Sequence, residues 1–163
     1  MDVSIHDFTP GTLHVITGGM KASKTATLLG IYGKLNYTNK KVQLLKPECD
    51  YRPSLNDKLN CSRNYMVSRA GVGFPAEEFD DKNPEDIIYK VRDDTEIVTI
   101  GEVTLVQQPE KLIDVILYLR SEGKSLLIDG LDRNFRGESF HSMPTLMAHA
   151  TTVQKSYGIC DIP

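Results

Sequence analysis

Residues 17–29 read TGGMKASKTATLL and directly follow an apolar run, TLHVI. Gly18, Lys24 and Thr25 match the phosphate-loop pattern GxxxxGK[ST], whereas Ser23 stands where that pattern has its second glycine. An apolar strand, a glycine-containing loop and a helix in this order are typical of a phosphate-binding α/β protein. The stretch therefore predicts a phosphate loop. The alternative is an ordinary strand-to-helix turn that contains Gly-Gly and Lys-Thr.

The residues of this loop suit particular contacts with a nucleotide. Gly18 and Gly19 let backbone N–H groups approach phosphates closely. Lys24 supplies a positive charge, and the hydroxyl of Thr25 suits a magnesium ion. Ser23 adds a side chain where the backbone passes close to phosphate. If that position needs a glycine conformation, serine costs on the order of 1–3 kcal/mol and weakens nucleotide binding, whereas otherwise the serine is harmless.

The composition bounds the size of the protein and the class of its partners. The chain has 163 residues, of which 40% are hydrophobic, so we expect a single domain over residues 1–163 with a proper core. Its 19 basic and 22 acidic residues give a net charge of -3, with no long run of one sign. This balance supports no nucleic-acid or membrane-surface partner. Small molecules or other proteins are the expected partners.

Three cysteines, Cys49, Cys61 and Cys160, are far apart and include no CxxC pair. They predict neither a disulfide framework nor a self-contained zinc site, and they favour a reducing compartment. The N-terminal residues show no basic segment followed by an apolar run, and no stretch approaches the roughly 20 apolar residues of a membrane span. We therefore expect a soluble, cytoplasmic protein, in the host cytoplasm if a virus encodes it.

Apolar runs of strand length alternate with segments of helical periodicity, which predicts a parallel sheet. The predicted strands are residues 12–16, 41–45, 96–100 and 125–128. The clearest helix is 109–122, with an apolar face, Pro109 in its first turn and a glycine as its stop. A shorter helix is expected over residues 83–91. Residues 47–81 are rich in Asn, Asp, Pro and Gly, so we expect mostly loops at one edge of the sheet, with a short strand at 65–68.

Three later segments join the phosphate loop in one recognisable order. They are LKPECDYR, with Lys46, Pro47, Asp50 and Arg52; VSRAG, with Ser68, Arg69 and Gly71; and GLDRNFRGESFHSMPTLMAHATTVQKSYGIC at residues 130–160. Together they resemble the cytosolic (type II) thymidine kinase family, and the last segment is similar to that family's GLDxxFRGxPF block. The resemblance covers residues 13–160. It implies a RecA-like P-loop α/β fold, with a mostly parallel sheet flanked by helices.

The resemblance implies transfer of a phosphoryl group from ATP to the 5′-hydroxyl of thymidine, which gives dTMP. The family binds ATP with magnesium on the phosphate loop and uses a glutamate in a DExQF motif as general base. The matching stretch here is IVTIGEVTLV, in which Glu102 is the candidate base. Gly101 replaces the family's magnesium-linked aspartate, and the glutamine and phenylalanine of the motif are also replaced. Magnesium would then be held by Thr25, the ATP phosphates, water and Asp50, and we expect weaker catalysis.

Several matched residues have a plainer interpretation beside the functional one. Without the resemblance, Glu102 would be interpreted as a solvent-exposed glutamate at the end of a strand. Asp50 and Arg52 resemble the family's DxR pair, which lies near the metal and the phosphates, and are otherwise a surface ion pair in a turn. Phe135, with Arg136 beside it, resembles the aromatic residue that packs over the thymine base, and is otherwise a core residue.

The last residues depart from the family pattern. The chain reaches the equivalent of the family's first zinc-binding cysteine in VQKSYGIC and then adds Asp161, Ile162 and Pro163. In the family, a zinc-binding lobe follows, and its lasso loop closes over thymidine. For this chain we expect no zinc site and no lasso lobe, a buried or terminal thiol at Cys160, and a substrate site open to water.

Two functions of different classes follow from these residues. The first is a thymidine kinase of reduced activity that acts on ATP and thymidine. The second is a catalytically inactive homologue that serves as a nucleotide sensor, a subunit or a scaffold for a protein partner. A weaker third hypothesis is a kinase for a different or larger acceptor. The resemblance also suggests homo-oligomers.

Overall fold

The computed structural model describes residues 3–20, 22–140 and 142–157. The strands are β1 (Leu13–Gly18), β2 (Val42–Pro47), β3 (Tyr65–Val67), β4 (Gly73–Pro75), β5 (Glu77–Phe79), β6 (Ile97–Ile100), β7 (Ser125–Leu131) and β8 (Thr152–Ser156). The helices are α1 (Lys24–Leu35), α2 (Pro53–Lys58), α3 (Asp86–Lys90), α4 (Pro109–Ser121) and α5 (Met143–His149), and short 3-10 helices cover Ile5–Asp7 and Val103–Leu105. In the described part of the chain, no helix is both long and apolar enough to cross a membrane.

Six strands form one sheet in the order β5-β2-β6-β7-β1-β8, and every pairing in it is parallel. β1, β6 and β7 lie inside this sheet and are almost wholly buried, which explains why they read as continuous apolar runs. The predicted parallel sheet is therefore confirmed. Because parallel strands end at a shared edge, the segments that follow β1, β2, β6 and β7 meet there.

Helices cover both faces of the sheet. α1 packs Leu28 and Leu29 against one face, while α3, α4 and α5 pack against the other. In α4, the buried residues are the four that the helical spacing predicted, Leu112, Val115, Ile116 and Leu119. Burying a side chain of this size contributes about 1.5–3 kcal/mol, so these stripes hold the helices on the sheet. The chain leaves α4 through Gly123 in a left-handed conformation, φ 85°, as expected for a helix stop.

Residues 47–81 contain more regular structure than predicted. They hold α2 and an antiparallel hairpin of β3 and β4, and β5 joins the main sheet as an edge strand parallel to β2. The prediction of mostly loops is therefore wrong in part, whereas the short strand near 65–68 is confirmed as β3. These elements are only three to six residues long, which is too short for periodicity to identify them. Pairing with neighbouring strands, which the local sequence does not encode, supports them.

Candidate active site

The phosphate loop lies between β1 and α1, at the edge where the parallel strands end. Gly18 closes β1, and a Cβ added there would collide with the carbonyl oxygen of Ser156 on β8. A glycine is therefore required at this point for β8 to pair with β1. A Cβ added to Gly19 would meet nothing within 4 Å, so packing does not require the second glycine. Lys21 lies outside the described residues.

Ser23 has a left-handed backbone conformation, with φ 58° and ψ 28°. Its side chain is exposed and makes no capping hydrogen bond to the start of α1. The sequence left open whether the backbone at this position has a conformation that favours glycine. The left-handed dihedral angles of Ser23 show that it does. A non-glycine residue held in this region costs about 1–3 kcal/mol.

The first turn of α1 presents Lys24 and Thr25 to the loop. The Nζ of Lys24 donates a hydrogen bond to the carbonyl oxygen of Gly19 at 2.8 Å, which draws the ammonium group over the loop. The hydroxyl of Thr25 donates to Oε1 of Glu102 at 3.4 Å, which links the loop to the segment after β6. A cation and a hydroxyl at the start of a helix are groups that hold phosphate and magnesium in P-loop proteins.

Arg52 joins two carboxylates that come from different segments. Its Nη2 donates to Oε1 of Glu102 at 2.9 Å, and its Nε lies 3.5 Å from Oδ1 of Asp50. Burial raises the pKa of the Asp50 carboxyl group, while the positive charge of Arg52 opposes that rise. Neither carboxylate is a solvated surface group, since the Asp50 side chain is 8% exposed and the Glu102 side chain 13%. Asp50 and Arg52 follow β2, whereas Glu102 follows β6. These residues are far apart in the sequence and meet because β2 and β6 are neighbours in the sheet.

Glu102 is also strained in its backbone. It lies in the left-handed region, with φ 52° and ψ 47°, two residues after the end of β6. Its N–H donates to Oδ1 of Asp129 at 2.5 Å, which helps to hold that conformation. Strained residues of this kind concentrate at functional sites, where the surrounding structure fixes them in place.

These side chains border one open cavity of about 540 Å³. Its walls come from the phosphate loop, the segment after β2, the turn between β3 and β4, the segment after β6 and the end of β7. The predicted site residues that line it are Ser23, Lys24, Thr25, Asp50, Arg52 and Glu102, with Ser68 and Arg69 of the VSRAG segment. Gly71 of that segment instead forms the turn itself, with φ 89°. One cavity therefore unites motifs that lie far apart in the sequence.

Phe135 lies beside a second open cavity of about 590 Å³. Its side chain is 93% exposed, so the interpretation as a core residue is wrong. The guanidinium carbon of Arg136 lies 5.4 Å from the centre of the Phe135 ring. Met20 and Leu131 line both cavities, so the two adjoin each other. An exposed aromatic ring next to the phosphate cavity is a surface on which a flat base can stack.

Lys46, part of the matched LKPECDYR segment, does not line the cavity. It is buried, and its Nζ donates to the carbonyl oxygens of Asp50, Arg63 and Tyr65 at 2.8, 2.7 and 3.2 Å. Burial lowers the pKa of its ammonium group, while the nearby Asp50 raises it. Lys46 thus fastens the segment that carries Asp50 to the hairpin of β3 and β4.

Asp129, on β7, is an acidic residue that the sequence interpretation missed. It is fully buried, and burial raises the pKa of its carboxyl group to about 8, an effect that the charge of Glu102 increases and the charge of Lys24 opposes. Its Oδ2 has no hydrogen-bond partner among the described residues. The available signal was an aspartate that follows the apolar run SLLI at the end of a predicted strand.

The thiols in the described ranges do not meet at this site. Cys49 is exposed and Cys61 is half-buried, and both are free thiols. Cys160 lies outside the described residues, as do Asp161, Ile162 and Pro163.

Comparison with known proteins gives a consistent result. A family model described as thymidine kinase matches residues 11–162. Two curated relatives, both named thymidine kinase, come from Ureaplasma urealyticum serovar 10 and Ureaplasma parvum serovar 3, and are 33% and 31% identical over 153 and 155 residues. Each match covers 93% of this chain and 64% of the relative, so the chain spans less than two thirds of the length of these relatives.

A solved structure shares the architecture at much lower identity. The flagellar accessory protein FlaH from Methanocaldococcus jannaschii is similar with a TM-score of 0.58, over 90% of this chain and 71% of that protein. At 10% sequence identity, this similarity concerns the fold alone. It agrees with the predicted α/β P-loop fold, whose parallel sheet and flanking helices are confirmed.

Proposed function

The chain belongs to the thymidine kinase family, and we propose that it transfers the γ-phosphoryl group of ATP to the 5′-hydroxyl of thymidine, giving dTMP. The observation that carries this proposal is the meeting of Thr25, Arg52 and Glu102, from three separate segments, in one open cavity. Phosphoryl transfer depends on positioning and on neutralising charge more than on covalent chemistry by the protein. These side chains offer a hydroxyl, a cation and a carboxylate for that purpose.

In this proposal the phosphates of ATP lie against the start of α1. The first backbone N–H groups of a helix have no partner within the helix and favour anions, and Lys24 adds a positive charge. The hydroxyl of Thr25 and the carboxylate of Asp50 would hold magnesium, because this ion prefers oxygen ligands and keeps several waters. When bound, magnesium neutralises charge that develops on the phosphate oxygens. The strained backbone of Ser23 predicts weaker nucleotide binding than glycine would give.

Glu102 is the proposed general base. Its Oε1 accepts hydrogen bonds from Arg52 and Thr25, so the carboxylate is already oriented as an acceptor. When the 5′-hydroxyl of thymidine replaces one of these donors, the same oxygen can take its proton. Arg52 has the planar set of donors that suits phosphate oxygens.

Phe135 is the proposed contact for the thymine base, with Arg136 beside it. The exposed ring supports this assignment, because a flat base gains contact area by stacking on it. A base bound there lies next to the phosphate cavity, since Met20 and Leu131 border both spaces.

The reaction is tested by incubating the protein with ATP, magnesium and thymidine and separating the nucleotides by chromatography. We expect dTMP, and we expect Glu102→Gln to lower its rate of formation at least about a hundredfold, because a positioned base contributes about that much or more. Calorimetry should show that Glu102→Gln still binds ATP. Glu110→Gln, which changes an exposed carboxylate on α4, is the matched control and should behave as the unchanged protein. No dTMP at high protein concentration, or an undiminished rate in Glu102→Gln, would contradict the proposal.

A second candidate is a nucleotide-binding protein that transfers no phosphate and acts as a sensor, a subunit or a scaffold. The strain at Ser23 and the glycine at position 101 favour it, since both fall on groups that catalysis would use. ATP binding without any phosphoryl transfer would support a sensor. Binding of a protein partner that Lys24→Ala leaves unchanged would support a scaffold. ATP consumption with a larger acceptor, and no dTMP from thymidine, would support a kinase of different specificity.

A further inference from the structure

Asp129 has a buried carboxyl group that the proposed reaction does not use. It is 0% exposed, and its Oδ1 accepts a hydrogen bond from the N–H of Glu102 at 2.5 Å. Its Oδ2 finds no partner anywhere in the described ranges. An unpartnered buried oxygen costs free energy, so a purely structural aspartate at this place would be unfavourable. The free oxygen therefore points to a ligand that completes it.

The carboxyl group of Asp129 faces the side of the sheet that carries the phosphate loop. Successive side chains of a strand point to opposite faces, and Leu127 packs in one cluster with Leu28 and Leu29 of α1. Asp129 is two positions further along β7 and so faces the same side. Lys24, in the first turn of α1, is close enough for its charge to act on Asp129.

Asp129 also lies opposite Gly101, the residue that follows β6. The pairing of β6 with β7 runs to Ile100 opposite Ile128, so Gly101 and Asp129 are the next two positions. A Cβ added to Gly101 would lie 3.7 Å from Oδ1 of Asp129 and would run into the side chain of Met66. At this point of the two strands, β7 therefore supplies a carboxyl group and position 101 supplies none.

The groups around this point are oxygen donors. Asp50, Glu102 and Asp129 bring three carboxyl groups close together, and the hydroxyl of Thr25 lies beside Glu102. Magnesium prefers oxygen ligands of this kind. P-loop proteins hold magnesium between the loop's Ser or Thr and an aspartate at the end of a neighbouring strand.

We propose that Asp129 joins Thr25 and Asp50 in holding the magnesium ion that accompanies ATP, so that the strand-end carboxylate comes from β7 instead of from position 101 after β6. β7 pairs directly with β1, whereas β6 lies one strand further away. A carboxylate on β7 is therefore one strand closer to the phosphate loop than a carboxylate at position 101 would be. This inference rests on the proposed function in one respect, since it requires that ATP binds at the loop.

The test measures ATP affinity by calorimetry, once with magnesium and once with a chelator. Asp129→Asn keeps the shape of the side chain and removes the anionic oxygen. We expect it to lower ATP affinity about tenfold or more with magnesium and to leave the affinity in chelator unchanged. Asp114→Asn, an exposed change on α4, is the matched control and should alter neither value. Equal affinities for Asp129→Asn and the unchanged protein in magnesium would overturn the inference, as would an equal loss with and without the metal.

A reciprocal exchange tests the position of the carboxylate directly. Gly101→Asp combined with Asp129→Asn returns the acid to the end of β6, and the thioether of Met66 is flexible enough to make room. We expect the double variant to recover the magnesium dependence that Asp129→Asn loses. Gly101→Asp alone should not improve on the unchanged protein, because it sets two carboxylates against each other. Failure of the double variant to recover, although folded, would count against the exchange.

A measurement on the unchanged protein covers the case in which a variant does not fold. Mn²⁺ with ATP should broaden the carboxyl ¹³C signal of Asp129 much more than that of Asp114, an exposed aspartate on α4. Equal broadening of both signals would overturn the inference. If the unchanged protein binds no ATP at all, the proposed function itself fails. If it binds ATP with magnesium and Asp129 has no effect, only the present inference fails.

Discussion

Among the described residues that line the cavity at the phosphate loop, Ser23 and Glu102 hold a left-handed backbone without being glycine. Ser23 has φ 58° and Glu102 has φ 52°, and each position costs about 1–3 kcal/mol on this account. Glu102 gains a hydrogen bond from its N–H to Asp129, whereas Ser23 has no capping hydrogen bond from its side chain. The strain at Ser23 is therefore the less compensated of the two.

Replacing Ser23 by glycine should relieve that strain. We expect Ser23→Gly to raise the free energy of unfolding by about 1 kcal/mol, because the relieved strain of about 1–3 kcal/mol exceeds the entropy cost of glycine, about 0.5–1 kcal/mol. ATP should also bind more tightly, since the backbone can then approach the phosphates without a side chain. Urea denaturation measures the first effect, and calorimetric titration with ATP and magnesium the second.

Ser23→Ala is the matched control, because it removes the hydroxyl but keeps a Cβ and hence the strain. It should gain neither stability nor affinity. If alanine and glycine gave the same gain, the hydroxyl and not the backbone conformation would be the cause.

At the scale of elements, His14 connects the 3-10 helix Ile5–Asp7, β1 and β8. Its Nε2 lies 3.0 Å from the carbonyl oxygen of Asp7, which can only accept, so Nε2 carries the proton. Its Nδ1 then accepts from the hydroxyl of Thr152 at 2.7 Å. The ring is fully buried, and burial lowers the pKa of His14 from its usual 6.5, although Asp7 opposes this. These contacts fit a neutral imidazole that is protonated more readily in the unfolded chain.

This neutral histidine should make the fold sensitive to acid. Because the folded pKa lies below 6.5, the unfolded chain binds the proton more tightly, so the contribution of His14 is present above pH 6.5 and is lost as the pH falls through the folded pKa. We expect the stability difference between the unchanged protein and His14→Gln to shrink between about pH 7.5 and about pH 5.5. Unfolding free energies from urea titrations at both values measure it.

The comparison with His14→Gln is necessary because Asp129 changes the stability of the fold with pH in the opposite direction to His14. A carboxyl group whose pKa is raised to about 8 contributes stability below its unfolded pKa and loses it as the pH rises through about 8. The pH dependence of the unchanged protein contains both effects, whereas the difference isolates His14. His149→Gln changes an exposed histidine on α5 and is the control. The gap in unfolding free energy between this variant and the unchanged protein should be the same at both pH values. A constant gap between the unchanged protein and His14→Gln would contradict the prediction.

At the scale of the whole molecule, the sequence predicted the features that depend on local pattern. β1, β2, β6, β7 and α4 were found because each has an apolar run or an apolar face several residues long. β5 was missed because its three residues, Glu77–Phe79, become a strand only by pairing with β2. The phosphate loop and Glu102 could be found from motifs. Asp129 belongs to no motif, so the sequence offered only an aspartate at the end of a predicted strand, and its position opposite Gly101 depends on the pairing of β6 with β7.

The role of Lys46 also could not be predicted from its motif, because it depends on contacts made in the folded chain. Lys46 does not line the cavity but supports a segment of the cavity wall. Its ammonium group bonds to backbone carbonyls of Asp50, Arg63 and Tyr65, which lie 4 to 19 positions further along the chain. The side chain of Lys46 on β2 therefore helps to attach residues 50–67 to the sheet, beside the ion pair of Arg52 with Glu102 and the burial of Met66. Asp50 and Arg52 reach the cavity from this segment.

Removing the ammonium group should loosen this wall while leaving the rest of the sheet in place. We expect Lys46→Met to lower the free energy of unfolding by about 2–3 kcal/mol, because buried carbonyls lose a charged donor. Hydrogen exchange should accelerate over residues 50–67 and stay unchanged in α4, and ATP should bind more weakly because Asp50 and Arg52 are no longer held in position. Lys58→Met, an exposed change on α2, should have none of these effects. Exchange that accelerates equally in α4 would mean that Lys46 supports the whole sheet, and that the cavity wall is not a separately attached part of the molecule.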